Sequence, residues 1–284
     1  MSKLSPGPHS LVVDGTRLAY HVAGHGPVMI AHSGGPGVEA TYLRMSRLEK
    51  HFTMVYLEPV GTGESGPLPA DATYVGTYAD FLAATVEYLG VARVYLLGHS
   101  HGGFVAQRYA VDHPDRVAGL VLYSTSPVNS PEFWAPALEL VAAYPQRYPD
   151  VPEAADVVSA WSMDLGGTEE SVTALLRAVT PIYFADFFGR RAEFEPLRSA
   201  MRCWPTPFQD MSLDFRTELS SVTAPTLVIA GRHDFLCGPA WAQLLHEGIG
   251  RSRLVIFEES GHFAHVEEPD AFADAVTELQ RGVG

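Results

Sequence analysis

Eight short runs of β-branched and apolar residues punctuate the chain: Ser10 to Val13, Arg17 to Val22, Pro27 to His32, Thr53 to Leu57, Arg93 to Leu97, Val117 to Tyr123, Thr226 to Ala230 and Arg253 to Phe257. Bounded by turn residues, runs of this length read as strands. Apolar residues recur at three- and four-residue spacing in Tyr78 to Leu89, Gly103 to Asp112, Gly238 to Glu247 and Pro269 to Leu279, which predicts helices there. Strands alternating with helices imply βαβ units and a mostly parallel, eight-stranded sheet flanked by helices, an α/β fold. Asp14-Gly15 between the first two runs is a hairpin turn, so the sheet should open with an antiparallel pair.

The strand rhythm stops at Ser130 and resumes after Leu219. The intervening sequence has a helical pattern expected to be broken by Pro136, Pro145, Pro149, Pro152, Pro181, Pro196, Pro205 and Pro207. The chain is therefore expected to divide into a first core part (1–129), an inserted helical cap (130–219) and a second core part (220–284). Trp134, Trp161 and Trp204 lie in the insert, with an aromatic cluster at Tyr183, Phe184, Phe187 and Phe188. Such rings either pack the cap onto the core or line an apolar pocket over the carboxyl ends of the sheet, the usual ligand site of open α/β folds.

Composition narrows the function classes. A net charge of −14 repels phosphate backbones and anionic lipid surfaces, so nucleic acid and membrane are not expected partners. No apolar run approaches the length of a membrane span, and Met1 to Ser10 is polar, which together predict a cytoplasmic protein. Cys203 and Cys237 are the only cysteines, without the spacing of a redox or zinc site, and are expected to be free thiols. No H-E-x-x-H helix or comparable ligand grouping appears, so neither a metal nor another cofactor is expected.

The strongest chemical signal is the run Arg93 to Leu97 leading into Gly98-His99-Ser100-His101-Gly102-Gly103 and then a helix. Small residues on either side of the serine allow a sharp strand-to-helix turn that thrusts the hydroxyl out of the sheet. A serine hydroxyl is a poor nucleophile near neutral pH and needs a base, itself oriented by a carboxylate. Asp234 and His262 each follow a strand end and fall after Ser100 in the required order; they are the predicted acid and base. His265, three residues further on, is the rival base, set aside because its segment reads as the entry to the last helix. His99 and His101 flank the nucleophile, where they either line the pocket or pack the turn. The oxyanion is expected to be held by the backbone N–H of His101 at the helix start and of Gly35 in Ser33-Gly34-Gly35-Pro36-Gly37.

Together these motifs resemble the proline iminopeptidase branch of the α/β-hydrolase superfamily. Ser33-Gly34-Gly35-Pro36-Gly37 is similar to that family's H-G-G-P-G loop, and Leu57-Glu58-Pro59-Val60-Gly61-Thr62-Gly63-Glu64-Ser65 to its D-Q-R-G-x-G-x-S segment. Ser33 and Glu58-Pro59-Val60 depart from the pattern. The resemblance implies an α/β-hydrolase fold and a serine hydrolase releasing an N-terminal amino acid from a short peptide or aminoacylated small molecule. It also implies acidic anchors for the substrate amine, for which Glu39 and Asp210 are placed, with Asp214 a further choice. Phe235, where some members carry an acid, and Trp204 are expected to contact substrate. An esterase or lactonase on an apolar substrate is the close alternative; a ligand receptor or a lyase on the same fold is the reading from another class.

Overall fold

In the computed structural model, residues 2–163, 167–208 and 211–282 are described. The eight apolar runs become one sheet, formed by β1 (Gly7–Val13), β2 (Thr16–Gly24), β3 (Val28–His32), β4 (Thr53–Leu57), β5 (Val94–His99), β6 (Val117–Tyr123), β9 (Thr226–Gly231) and β10 (Ser252–Phe257). Two further short strands, β7 (Val128–Asn129) and β8 (Leu213–Asp214), pair with each other outside it. The order across the sheet is β1-β2-β4-β3-β5-β6-β9-β10. β1 and β2 form the antiparallel opening pair around Asp14-Gly15, and β2 also runs antiparallel to β4. Every other pairing is parallel, so the loops after β3, β5, β9 and β10 all emerge on one edge.

Helices α1 (Gly76–Leu89), α2 (His101–Asp112) and α7 (Pro239–Gly248) cover one face, while α9 (Pro269–Arg281), preceded by the single turn α8 (Ala264–Glu267), covers the other. The central strands are therefore buried on both sides. In β5, Val94 and Leu96 enter one apolar cluster while Tyr95 and Leu97 enter the other. This is why these strands read as continuous apolar runs instead of alternating ones.

Four longer helices lie between β6 and β9: α3 (Pro131–Arg147), α4 (Glu153–Trp161), α5 (Glu169–Val179) and α6 (Arg191–Ala200). The expectation that prolines break this region is corrected in part, because Pro136 and Pro145 lie inside α3 and Pro196 inside α6. A proline removes one N–H and crowds the preceding turn. In α3 the stripe Phe133, Ala137, Val141 and Tyr144 is buried in a third apolar cluster, which holds the helix together across both prolines. Among the described residues, no helix is long and apolar enough to cross a membrane.

Candidate active site

Ser100 sits between β5 and α2 with φ 54° and ψ −119°, a conformation that a side-chain-bearing residue adopts only under constraint. Hydrogen bonds supply that constraint: Ser100 N–H donates to Tyr123 O at 2.9 Å, and Ser100 O accepts from Gly103 N–H and from Thr125 Oγ1, both at 2.8 Å. The flanking glycines are required by contact. A Cβ on Gly98 would stand 2.3 Å from Gly102 O, and one on Gly102 would stand 2.3 Å from His32 O. Because His101 opens α2, its N–H belongs to the first helical turn, where donors have no partner within the helix.

Asp234 and His262 are brought together as a buried pair, with His262 Nδ1 2.8 Å from Asp234 Oδ2. The other oxygen, Oδ1, accepts the N–H of Leu236 at 3.0 Å and of Cys237 at 2.9 Å, so the carboxylate is held from both ends. Burial acts to raise the Asp234 pKa, but the His262 charge, its hydrogen bond and the two amides outweigh it and hold the carboxyl below its usual range. His262 is fixed in turn by its own N–H, which donates to Tyr183 O at 2.6 Å. Ser100 and His262 line the same pocket without a direct hydrogen bond between hydroxyl and ring. Serine–histidine contacts often close only once substrate is bound.

The rival base, His265, is committed elsewhere. Its Nδ1 meets Tyr123 Oη at 2.9 Å and its Nε2 meets Tyr42 O at 2.9 Å, while burial pushes its pKa down to about 4. His99 lines the pocket, whereas the His101 ring packs among Tyr74, Tyr78 and His32 away from it. In the loop after β3, Ser33 Oγ ties the turn by donating to Val38 O at 2.8 Å, and Gly34 gives its N–H to Tyr42 Oη at 2.7 Å. Among the described residues, no acceptor takes the N–H of Gly35, whose φ of +125° suits glycine.

The pocket above Ser100 has a volume of about 620 Å³. Trp134, Trp161, Val172, Leu176, Tyr183 and Met201 from the inserted segment face Tyr74, His99, Leu236 and Phe263 from the core. Among the described residues, none of its lining side chains is Asp, Glu, Lys or Arg. The structure places three of the expected substrate contacts outside the pocket lining. Glu39 lies outside the pocket, its Oε1 accepting from Thr41 Oγ1 at 2.8 Å and its Oε2 3.7 Å from Arg202 Nη1. Phe235 stands one layer back, packed on Trp161 and Tyr183, and its neighbour Leu236 lines the pocket instead. Trp204 lies outside too, with Arg202 over its ring. Asp214 is paired with Arg216 and does not line the pocket, while Asp210 lies outside the described residues. Cys203 and Cys237 are free; burial pushes the Cys203 thiol up to about 11, which makes it a poor nucleophile. Sequence reasoning passed over Tyr42, Tyr74, Leu236 and Glu267, none of which belongs to a motif.

A strained serine at the end of a central strand, with an acid–histidine pair on neighbouring strand ends, defines a class of protein. Residues 27–269 match the alpha/beta hydrolase fold family, and the chain belongs to that family. It is 28% identical over 274 residues to 2-hydroxymuconate semialdehyde hydrolase of Pseudomonas sp. strain CF600, covering 94% of this chain and 91% of the relative. It is 29% identical over 259 residues to 2-hydroxy-6-oxononadienedioate/2-hydroxy-6-oxononatrienedioate hydrolase of Klebsiella pneumoniae strain ATCC 700721, covering 88% and 85%. Among solved structures, the enol-lactonase from Burkholderia xenovorans LB400 superposes with a TM-score of 0.72 at 23% identity, covering 96% of this chain and all of that one. The proline iminopeptidase branch is not the one these relatives represent.

Proposed function

We propose that the protein is an esterase or lactonase that cleaves a neutral, apolar acyl substrate through a covalent intermediate on Ser100. The observation that carries this reading is a large pocket holding Ser100 and His262 with no carboxylate or cation among its described lining residues. A free-amine substrate needs an acidic anchor, and of the candidate acids within the described residues Glu39 and Asp214 are both paired outside the pocket. The names of the relatives in Klebsiella and Escherichia specify dioates, which carry two carboxylates. Burying carboxylates without cationic partners is unfavourable, and the residues outside the described set include no Lys or Arg. The apolar lining favours an uncharged acyl group instead.

In this account Ser100 Oγ attacks the acyl carbonyl while His262 Nε2 takes its proton, and Asp234 stabilises the imidazolium. The N–H groups of Gly35 and His101 hold the oxyanion. Collapse breaks the bond to the alcohol oxygen, which leaves with the proton from His262. Water, deprotonated by His262, then cleaves the acyl-enzyme, releasing the carboxylic acid and restoring Ser100. The segment 130–219 serves as the cap that excludes water from the acyl group. A panel of p-nitrophenyl butyrate, a medium-ring lactone, a ring-cleavage dioate and prolyl-p-nitroanilide tests the reading. Turnover of the first two well above the others is expected; preferential turnover of the anilide or the dioate would overturn it.

A further inference from the structure

Three loops needed by the proposed reaction are joined through two side chains that the reaction itself does not use. Tyr42, in the buried turn Ala40–Leu43, accepts the Gly34 N–H on Oη at 2.7 Å, and the same oxygen lies 2.6 Å from His99 Nδ1. His99 Nε2 lies 3.0 Å from the main-chain O of His262. The direction of each bond follows from donor chemistry. A carbonyl only accepts, so His99 carries its hydrogen on Nε2; Nδ1 is then the acceptor, and Tyr42 must donate to it. Gly34 gives to Tyr42, Tyr42 gives to His99, and His99 gives to His262.

We propose that Tyr42 and His99 are positioning residues: their one-way hydrogen-bond chain fixes the oxyanion loop, the Ser100 turn and the His262 loop relative to one another. The inference rests on the reading of Ser100 as nucleophile and His262 as base.

The surroundings leave this chain little slack. A Cβ on Gly34 would stand 3.1 Å from both Ser100 Cβ and Tyr42 Oη, so the loop already touches the nucleophile and the tyrosine. The His99 ring packs 4.6 Å from that of His262 and 4.5 Å from that of Tyr123, centroid to centroid. A protonated His99 would present donors at both nitrogens and break the link to Tyr42. Burial, reinforced by the neighbouring His262 and His265, holds its pKa well below the usual range and keeps the ring neutral. Tyr42 is itself anchored, because His265 Nε2 donates to its main-chain oxygen at 2.9 Å. Gly34 is thus occupied within the protein, and Gly35 is the amide left to serve the substrate.

The test uses the whole chain with p-nitrophenyl butyrate for turnover and a neutral fluorophosphonate for the rate of Ser100 phosphonylation. Tyr42→Phe deletes one oxygen and keeps the ring packed against Phe263. We expect kcat and the phosphonylation rate to fall together, by about 10- to 100-fold, with KM changed less than about threefold. His99→Asn keeps an acceptor near Nδ1 and removes the donor to His262, and should show the same loss. Because both act through one chain, the double variant should lose no more than the larger single loss. A kcat for Tyr42→Phe within about twofold of the parent, a rise in KM at unchanged kcat, or losses that multiply in the double variant would overturn the proposal. Should Tyr42→Phe fail to fold, His99→Asn decides alone on the same readouts. A parent protein not labelled at Ser100 overturns the nucleophile reading and the positioning role with it, whereas a labelled parent with unaffected variants overturns the positioning role alone.

Discussion

Glu267 Oε2 accepts the N–H of Gly261 at 2.8 Å, one residue before His262. Its other oxygen accepts the N–H of Ala185 at 2.7 Å, so one buried carboxyl ties the His262 loop to the inserted segment that carries Tyr183. Burial pushes its pKa up to about 7 against the pull of those amides. Glu267→Gln keeps the size but presents an NH₂ to one of the two N–H donors, leaving a buried amide unpaired at about 1–3 kcal/mol. We expect a lower melting temperature and a kcat reduced about tenfold, measured by calorimetry and by ester hydrolysis. Parental values of both would show that the tether does not matter.

Stability should fall on mild acidification. Burial holds His32 and His265 near pKa 4, and His99 and His101 well below the usual value. For each depressed histidine, stability is fully present above the unfolded value of about 6.5 and is lost as pH falls toward the folded value. Glu58 and Glu267, pushed up to about 7 by burial, act oppositely: their contribution is present below about 4.5 and is lost as pH rises toward 7. Between pH 6.5 and 4.5 the histidines outnumber the glutamates, so the unfolded chain binds more protons and acid favours it. Melting curves should show a transition several degrees lower at pH 5 than at pH 7; a transition unchanged or higher at pH 5 would contradict this.

Asp234→Asn retains an acceptor for the amides of Leu236 and Cys237 but removes the charge opposite His262. Ester turnover should fall by about 10³- to 10⁴-fold, with folding retained by circular dichroism. A loss under about tenfold would mean that the pair is only structural.

The inserted segment should govern substrate size. Trp161 lines the pocket and packs edge-on against Phe235, with Trp134 close by. Trp161→Ala should raise KM for aromatic and long-chain esters several-fold more than for p-nitrophenyl acetate. Equal effects across chain lengths would place the acyl group elsewhere.

The eight strands and the positions of Ser100, Asp234 and His262 were legible because each rests on local chemistry: apolar runs buried on both faces, a glycine-flanked turn, and polar residues immediately past strand ends. The side chains that line the pocket were not legible in the same way. Glu39 follows the glycine loop as an amine anchor should, yet its carboxylate accepts from Thr41 at 2.8 Å and lies 3.7 Å from Arg202, outside the pocket lining. Phe235 and Leu236 are adjacent, and only the turn pinned by Asp234 decides which one faces the pocket. Tyr42 belongs to no motif, and its role arises from partners at Gly34 and His99. The prolines of α3 misled because packing by Phe133 and Tyr144 overrides local propensity.

The central claim, covalent catalysis by Ser100 in a pocket whose described lining holds no carboxylate or cation, is tested most directly by intact mass and peptide mapping after treatment with a neutral alkyl fluorophosphonate. The account predicts one adduct per chain, on Ser100, formed at the rate at which ester turnover is lost, and no adduct in Ser100→Ala. An unlabelled parent protein, or an adduct that persists in Ser100→Ala, would contradict it.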